Sequence, residues 1–388
     1  MLGGDLSGLA AAAQAWHAGG VKYIDGFRDP AAAAAIRRRI AGHGAALASR
    51  RVAIMEVCGS HTMAIARYGI RDALPANVDL ISGPGCPVCV TETGYIDAAI
   101  ALAERGVTLV TFGDLLPVPG SASSLAACRA AGGRIEVAYS PAAALALAAA
   151  QPRREVVFLA IGFETTIAPV VSLVDAALRR GLGNLALLTA FKLVPPALRA
   201  LRADPDLRID AFLCPAHVSA IIGPEAYEPF AGPDGVPCVI AGFEPLDILL
   251  GLEGILAQLA AGVARVENQY RRVVKPGGNP RAQALFARYL EPADVRWRGL
   301  GLLPGSGLRL RPEYAAFDAE RRHGLAVGPG REAPGCLCGA VIKGQRRPAD
   351  CPLFGRVCTP DRPVGPCMVS AEGSCAAQFK YGRTAAGV

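Results

Sequence analysis

VAIMEVCGSHT, residues 52–62, is the stretch that decides the fold. Five apolar, partly β-branched residues, with Glu56 among them, run into Cys58, and Gly59 then permits a tight turn. A short run of this kind, apolar on both faces and closed by Gly, Pro or Cys, has the signature of a buried parallel strand. The same signature recurs outward from it. Candidate strands are Val52–Val57, Val78–Ser82, Thr108–Phe112 and Arg134–Ala138, followed by Val156–Ile161, Leu185–Ala190, Ala211–Leu213 and Pro237–Ala241. Ala/Leu-rich segments of helix length separate them, so right-handed βαβ crossovers are the natural assembly.

Two sets of four strands predict an α/β protein of two similar lobes, each a parallel sheet flanked by helices. Residues 46–150 form the first lobe and residues 151–254 the second. Ile161–Thr165 (IGFET) and Ala241–Pro245 (AGFEP) echo each other as a weak internal repeat. Beyond Gly254 the pattern turns helical, with Ile255–Val274 the clearest segment before KPGGNP (Lys275–Pro280) breaks it. Residues 1–45 and 255–388 are grouped as a third, helical and loop-rich, cysteine-dense domain. Its C-terminal part is too rich in Pro and Gly to build a large apolar core and would gain from a metal staple.

The 388 residues, 52% hydrophobic and 19% charged, have ample material for packed interiors. Between Arg265 and Arg311 ten Arg/Lys face three acids, Glu267, Glu291 and Asp294, which accounts for the whole net charge of +7. The tract lacks interleaved aromatics and any nucleic-acid-binding signature, so it reads as a solvated face or a surface for an acidic protein partner. No basic leader opens MLGGDLSGLAAAAQAWHAGG, and the longest Ala/Leu run, Ala142–Ala150, is far below the ~20 residues of a spanning helix. A reducing cytosol, with no membrane and no nucleic acid, is the expected setting.

Against that setting twelve cysteines point to metal or redox chemistry rather than structural disulfides. Three groups carry it. Cys58 and His61 pair a thiol with an imidazole at a strand's carboxyl end, fit for a soft metal or a nucleophile–base pair. Cys86 and Cys89 in GPGCPVC form a C-x-x-C before a helix, where a redox disulfide is favoured over half a zinc site. Cys336, Cys351, Cys358 and Cys375, separated by 14, 6 and 16 residues, offer the four thiolates of a [4Fe–4S] cubane or of zinc, with Cys338 and Cys367 left as a further pair. Cys128, Cys214 and Cys238 read as structural. Glu164 and Glu244 follow Gly-Phe at strand ends and either serve as acids or cap the next helix. His217 reads as a structural histidine, Lys192 and Arg271–Arg272 as surface contacts, and Asp97 and Asp114 as open. No Walker A or dinucleotide fingerprint occurs.

Taken in order, MEVCGSHT, GPGCPVCV, GFETT, FKLVPPAL, CPAHVSAIIG, AGFEPLDIL, VENQYRRVV, CPLFGRVCTP and GPCMVSAEGSCAA resemble the motif series of the HypD family of [NiFe]-hydrogenase maturation factors, from Met55 to Ala377. Ser60 stands where that family often has threonine, which keeps the hydroxyl. The resemblance implies a scaffold and thiol-redox component for assembly of an iron bearing two cyanides and one carbon monoxide. It implies a [4Fe–4S] cluster on Cys336, Cys351, Cys358 and Cys375, redox pairs Cys86–Cys89 and Cys338–Cys367, and iron at Cys58 beside His61. The implied partners are a small HypC-like chaperone and a HypE-like protein that delivers cyanide made through HypF. A stand-alone [4Fe–4S] thiol–disulfide oxidoreductase and a structural zinc protein are the alternatives.

Overall fold

A computed structural model describes residues 25–382; residues 1–24 and 383–388 of the expected third domain, and with them the opening MLGGDLSGLAAAAQAWHAGG, lie outside the described residues. Among the described residues eleven strands form two sheets. They are β1 (Val52–Glu56), β2 (Val78–Ser82), β3 (Thr108–Thr111), β4 (Ile135–Val137), β5 (Val156–Gly162), β6 (Leu185–Lys192), β7 (Ala211–Pro215), β8 (Cys238–Ala241), β9 (Val266–Asn268), β10 (Leu290–Trp297) and β11 (Gly301–Leu310). All eight expected strands are present, each within a few residues of its expected ends.

Their grouping differs from the expected one. The first sheet runs β2-β1-β7-β8-β9 and is parallel throughout. The second runs β10-β11-β6-β5-β3-β4, parallel from β6 to β4, with the antiparallel hairpin β10–β11 added at the β6 edge. Neither sheet is therefore built from 46–150 or from 151–254: the chain leaves the first sheet after β2, completes most of the second, and returns at β7. Both nonetheless share a local order, β2-β1-β7-β8 and β4-β3-β5-β6, with all four strands parallel and the direction of strand addition reversing between the two inner strands. The IGFET and AGFEP echoes follow β5 and β8, which occupy different places in that order.

Side-chain alternation explains the layering. On β5, Val157, Leu159 and Ile161 join the central core while Val156, Phe158 and Ala160 pack on the opposite face. On β7, Phe212 and Cys214 face the same central core, and Ala211 and Leu213 face helices Pro30–Ala46 and Pro245–Ala260. One apolar cluster thus joins both sheets. Cys214 and Cys238 are wholly buried in it, in keeping with a structural role.

The expected helix Ile255–Val274 ends early. Helix Pro245–Ala260 stops before Gly262, whose φ of +66° is a left-handed turn, and the chain re-enters the first sheet as β9. The hairpin β10–β11 lies inside the basic tract that read as a solvated face; Trp297 at the end of β10 is fully buried. No helix among the described residues is long and apolar enough to cross a membrane.

A fragment of residues 46–150 would carry two strands of each sheet and complete neither. It should show disordered circular dichroism and no cooperative thermal transition. A cooperative transition with substantial strand content would contradict the interleaved topology.

Candidate functional site

Parallel sheets place ligands outside the carboxyl ends of their strands, at the point where strand order reverses. In the first sheet that point lies between β1 and β7. Cys58 and His61 follow β1, Cys86 and Cys89 follow β2, His217 follows β7, and the Gly242-Phe243-Glu244 turn follows β8. Four motifs scattered over some 190 residues of sequence thereby meet at one edge.

The turns after β1 and β2 are locked together. Gly83 N–H donates to the Glu56 carbonyl at 2.8 Å and Gly59 N–H to the Gly85 carbonyl at 3.0 Å. A Cβ on Gly85 would lie 2.2 Å from the Cys58 nitrogen, so only glycine fits. Beneath them Glu56 is completely buried and accepts from Cys58 N–H at 3.1 Å and Thr62 Oγ1 at 2.5 Å. Burial pushes its carboxyl up to about 7, against those hydrogen bonds.

Cys58 precedes helix Gly59–Arg67. Burial, then the Glu372 and Glu56 carboxylates, push its thiol up to about 12, while the amides of His61 and Ser60 pull the other way. His61 is wholly buried, and burial lowers it to about 4, so its ring is neutral at pH 7. Its Nε2 faces two acceptors, the Gly242 carbonyl at 2.9 Å and the Ala241 carbonyl at 3.2 Å, and therefore carries the proton. Nδ1 keeps a buried lone pair without a hydrogen-bond partner. Phe243 packs between the rings of His61 and His217, at 4.8 and 4.1 Å. His217 itself is exposed.

Glu372, which the sequence reading passed over, closes the site from the C-terminal region. It accepts from Ser60 Oγ at 2.7 Å, its side chain abuts Gly59, and it lines a small cavity with Cys86, Cys89 and Cys367. The available signal was a carboxylate set between two cysteines in CMVSAEGSC. Cys86 and Cys89 are disulfide-bonded, and the other ten cysteines are free.

All six C-terminal cysteines line one further cavity, with Met368, Phe354 and Val341 around them. Cys338 is within hydrogen-bonding reach of Cys336 and Cys367, and Cys367 also of Cys375. Hydrogen bonds from Cys336 and Cys367, together with the Arg298 charge, hold Cys338 well below the usual thiol range. Gly365 backs this row, since a Cβ there would lie 2.8 Å from Cys336 Sγ. An all-sulfur lining in an apolar shell matches the donor set of an iron–sulfur cluster. No three His, Cys, Asp or Glu side chains among the described residues are grouped as ligands of a single ion. The corners of a cubane bind different irons and need no such convergence. Cys367 lines both cavities, and Cys89 Sγ lies 3.9 Å from the Pro366 carbonyl, so the two sulfur groups are neighbours.

The remaining candidates scatter. Glu164, buried where β5 ends in the second sheet, accepts from Val194 N–H at 2.9 Å, leaves Oε2 unpartnered, and is pushed up to about 7 by burial. Glu244 points outward into a two-bond pair with Arg28 at 2.6 and 3.0 Å. Lys192 is not on the surface. It is 3% exposed, with Nζ on the Arg296 carbonyl at 2.7 Å and over the Trp297 ring. Arg271 and Arg272 are both exposed, and Arg272 pairs with Asp247 between the Phe27 and Tyr270 rings. Asp97 holds Ser121 through N–H and Oγ at 2.7 and 2.5 Å. Asp114, following β3, is exposed, and its charge acts on Glu372.

With this geometry in place, comparison with known proteins is decisive. The sequence model of HypD, described as the "Hydrogenase formation hypA family", matches residues 31–382. The chain belongs to the HypD family. It is 50% identical over 371 residues to the hydrogenase maturation factor HypD of Azotobacter vinelandii, covering 94% of this chain and 97% of that protein. The Rhizobium leguminosarum bv. viciae HypD is 50% identical over 374 residues, covering 94% and 96%. The Escherichia coli K12 HypD is 42% identical over 366 residues, covering 93% and 98%.

Glu164 gives a pH test within this HypD-family fold. Its folded value, about 7, exceeds its unfolded one, so between about pH 4.5 and 7 the folded state binds more protons and stability falls as pH rises. Glu164→Gln keeps the acceptor for Val194. It should therefore stabilise the protein by roughly 1–3 kcal/mol at pH 8 and by little at pH 4.5, measured by denaturant unfolding. An equal effect at both values would contradict a buried, proton-holding Glu164.

Proposed function

We propose that this chain is a scaffold and thiol-redox component in hydrogenase maturation, on which an iron acquires its cyanide and carbon monoxide ligands. The observation that carries this reading is the continuity of sulfur: the cavity of six cysteines shares Cys367 with the cavity of the Cys86–Cys89 disulfide, whose far wall is Glu372 against the Cys58 turn. Family membership supplies the biological setting.

In this reading Cys336, Cys351, Cys358 and Cys375 hold a [4Fe–4S] cluster, which when bound supplies electrons singly. The chain's own residues do the rest. Cys338 and Cys367 lie against that group as a dithiol and pass reducing equivalents to Cys86–Cys89 by thiol–disulfide exchange. Cys58 presents a sulfur to the substrate iron, and coordination displaces its high-lying proton as metal binding does for any thiol. Glu372, poised between Cys58 and the disulfide, is placed to take that proton. His61 keeps its Nε2 proton on the Gly242 carbonyl and offers Nδ1 as a neutral acceptor or ligand. A small HypC-like chaperone and a HypE-like cyanide donor are the proposed partners, and the cytoplasm is the proposed compartment, where free thiols persist.

Anaerobically purified protein should contain about four irons and four acid-labile sulfides per chain, and Cys358→Ala should abolish the brown chromophore. Cys58→Ala should keep that chromophore, yet lose the infrared bands of metal-bound CN and CO in the complex co-purified with the small chaperone. Stoichiometric zinc without labile sulfide would overturn the cluster assignment. Full CN and CO bands in Cys58→Ala would move the iron elsewhere.

A further inference from the structure

We propose that the turn Leu353–Cys358 and the outer face of helix Ser374–Tyr381 form the docking surface for an acidic one-electron carrier protein. The inference rests on the reading, given above, of a [4Fe–4S] cluster on Cys336, Cys351, Cys358 and Cys375.

The sulfur cavity lies beneath this surface with little protein between. Cys351, Cys358 and Cys375 are all buried, yet Val357, the residue next to Cys358, is 60% exposed. A tight turn holds the two in place. The Leu353 carbonyl accepts from the amides of Arg356, Val357 and Cys358 at 3.2, 3.2 and 2.9 Å. Gly355, with φ +69°, donates its N–H to the Cys358 carbonyl at 3.1 Å. The turn therefore carries Arg356 and Val357 outward while Cys358 stays at the cavity wall. Val364 N–H donates to Cys358 Sγ at 3.3 Å, a second short connection, two residues beyond the exposed Arg362.

An aromatic pair extends the same wall to solvent. Phe354 lines the six-cysteine cavity, and its ring meets Phe379 edge-on with centroids 6.2 Å apart. Phe379, on the helix that carries Cys375, is 42% exposed. Gly355 lies close to it, since a Cβ there would be 4.0 Å from the Phe379 ring. Two of the few large apolar side chains that the described residues expose, Val357 and Phe379, thus sit together over the sulfur cavity.

Charge identifies what covers this patch. Arg356 adjoins Val357, Lys380 adjoins Phe379, and Arg362 bridges back to Thr359; all three cations are exposed. No carboxylate among the described residues forms an ion pair with any of them. Between Cys351 and Gly382 the acids are Asp361, which is exposed, and Glu372, which is turned inward onto Ser60. The rim is therefore basic and uncompensated. A small apolar centre within such a rim suits a brief encounter with an acidic protein, steered by charge and readily released, as redox partners are. A lasting complex would need a broader apolar face. The exchange balances simply: the carrier is oxidised by one electron, the group held at Cys358 receives it, and no bond or proton changes place. None of Arg356, Val357, Arg362, Phe379 or Lys380 lines the cavity of Cys86, Cys89 and Glu372, so the patch is separate from the Cys58 edge.

Full-length, cluster-loaded protein is titrated anaerobically with two oxidised probes, a plant-type [2Fe–2S] ferredoxin and a flavodoxin, by calorimetry at about 0.02 and 0.2 M ionic strength. At least one should bind saturably, and more weakly as salt rises. Arg356→Glu with Arg362→Glu should weaken that binding roughly tenfold or more. Arg129→Glu with Arg153→Glu, the same charge change at exposed positions elsewhere, should leave it within about twofold. Carbodiimide coupling read by mass spectrometry should join Lys380 to a carboxylate of the carrier. Should the Arg356 and Arg362 variant lose its brown chromophore, Lys380→Glu decides in its place: binding weakened roughly threefold or more supports the proposal, and unchanged binding overturns it. Saturable binding by neither probe, equal losses in the two double variants, or a patch variant that binds like the parent would overturn it. So would sedimentation showing that the patch instead joins two copies of this chain. A parent protein with zinc and no labile sulfide fails the cluster reading, and the inference falls with it. A parent with labile sulfide that binds neither carrier fails the inference alone.

Discussion

The arrangement depends on a contact with no room in it. The chain after β2 passes so close to the chain after β1 that Gly85 lies against the Cys58 backbone, and the Gly59 amide is spent on the Gly85 carbonyl. Two parallel strands alone would leave their loops free to diverge. Here the Gly–Gly approach, with buried Glu56 bonded beneath it to Cys58 and Thr62, fixes the sulfur of Cys58 relative to the Cys86–Cys89 pair. A larger side chain at residue 85 would have to push the two motifs apart.

From that contact the site extends by shared walls. Glu372 reaches Ser60 on one side and borders the Cys86–Cys89 cavity on the other, and Cys367 borders both sulfur cavities. The C-terminal region, short of apolar material of its own, gains order by packing its helices Pro366–Val369 and Ser374–Tyr381 on those of the CPVC and CGSH motifs. Charge is rationed along this path. Burial and the Glu372 and Glu56 carboxylates disfavour the Cys58 thiolate until something replaces the proton, whereas hydrogen bonds from Cys336 and Cys367 favour the thiolate at Cys338. The two ends of the sulfur series are thus poised oppositely.

The strands and the cysteine groups were legible because they depend on local pattern. Apolar runs such as Val156–Gly162 are buried on both faces, and a thiol at a strand end is visible whatever the strand pairs with. Pairing was not legible for the same reason: a strand apolar on both sides carries no alternation to reveal its neighbours, so CPAH and AGFEP were placed in the wrong sheet. The hairpin β10–β11 was hidden by its Gly, Pro and Arg content, because a covering Trp297 and a buried Arg298 look like surface residues in a basic tract. Lys192 was misplaced likewise, its charge suggesting solvent when a carbonyl and an indole enclose it. Glu164 and Glu244 had identical local sequence signals, and only the Arg28 pair separates the outward one from the buried one.

The central claim is that sulfur forms one connected redox path from the C-terminal cavity to the Cys58 edge. The direct measurement is anaerobic addition of a low-potential one-electron donor, reduced methyl viologen, followed by time-resolved trapping of the Cys86 and Cys89 thiols. The path predicts that both thiols appear promptly in the parent protein and far more slowly in Cys367→Ser, which leaves the four proposed cluster cysteines in place. Opening of the Cys86–Cys89 disulfide at the same rate in both proteins would contradict it.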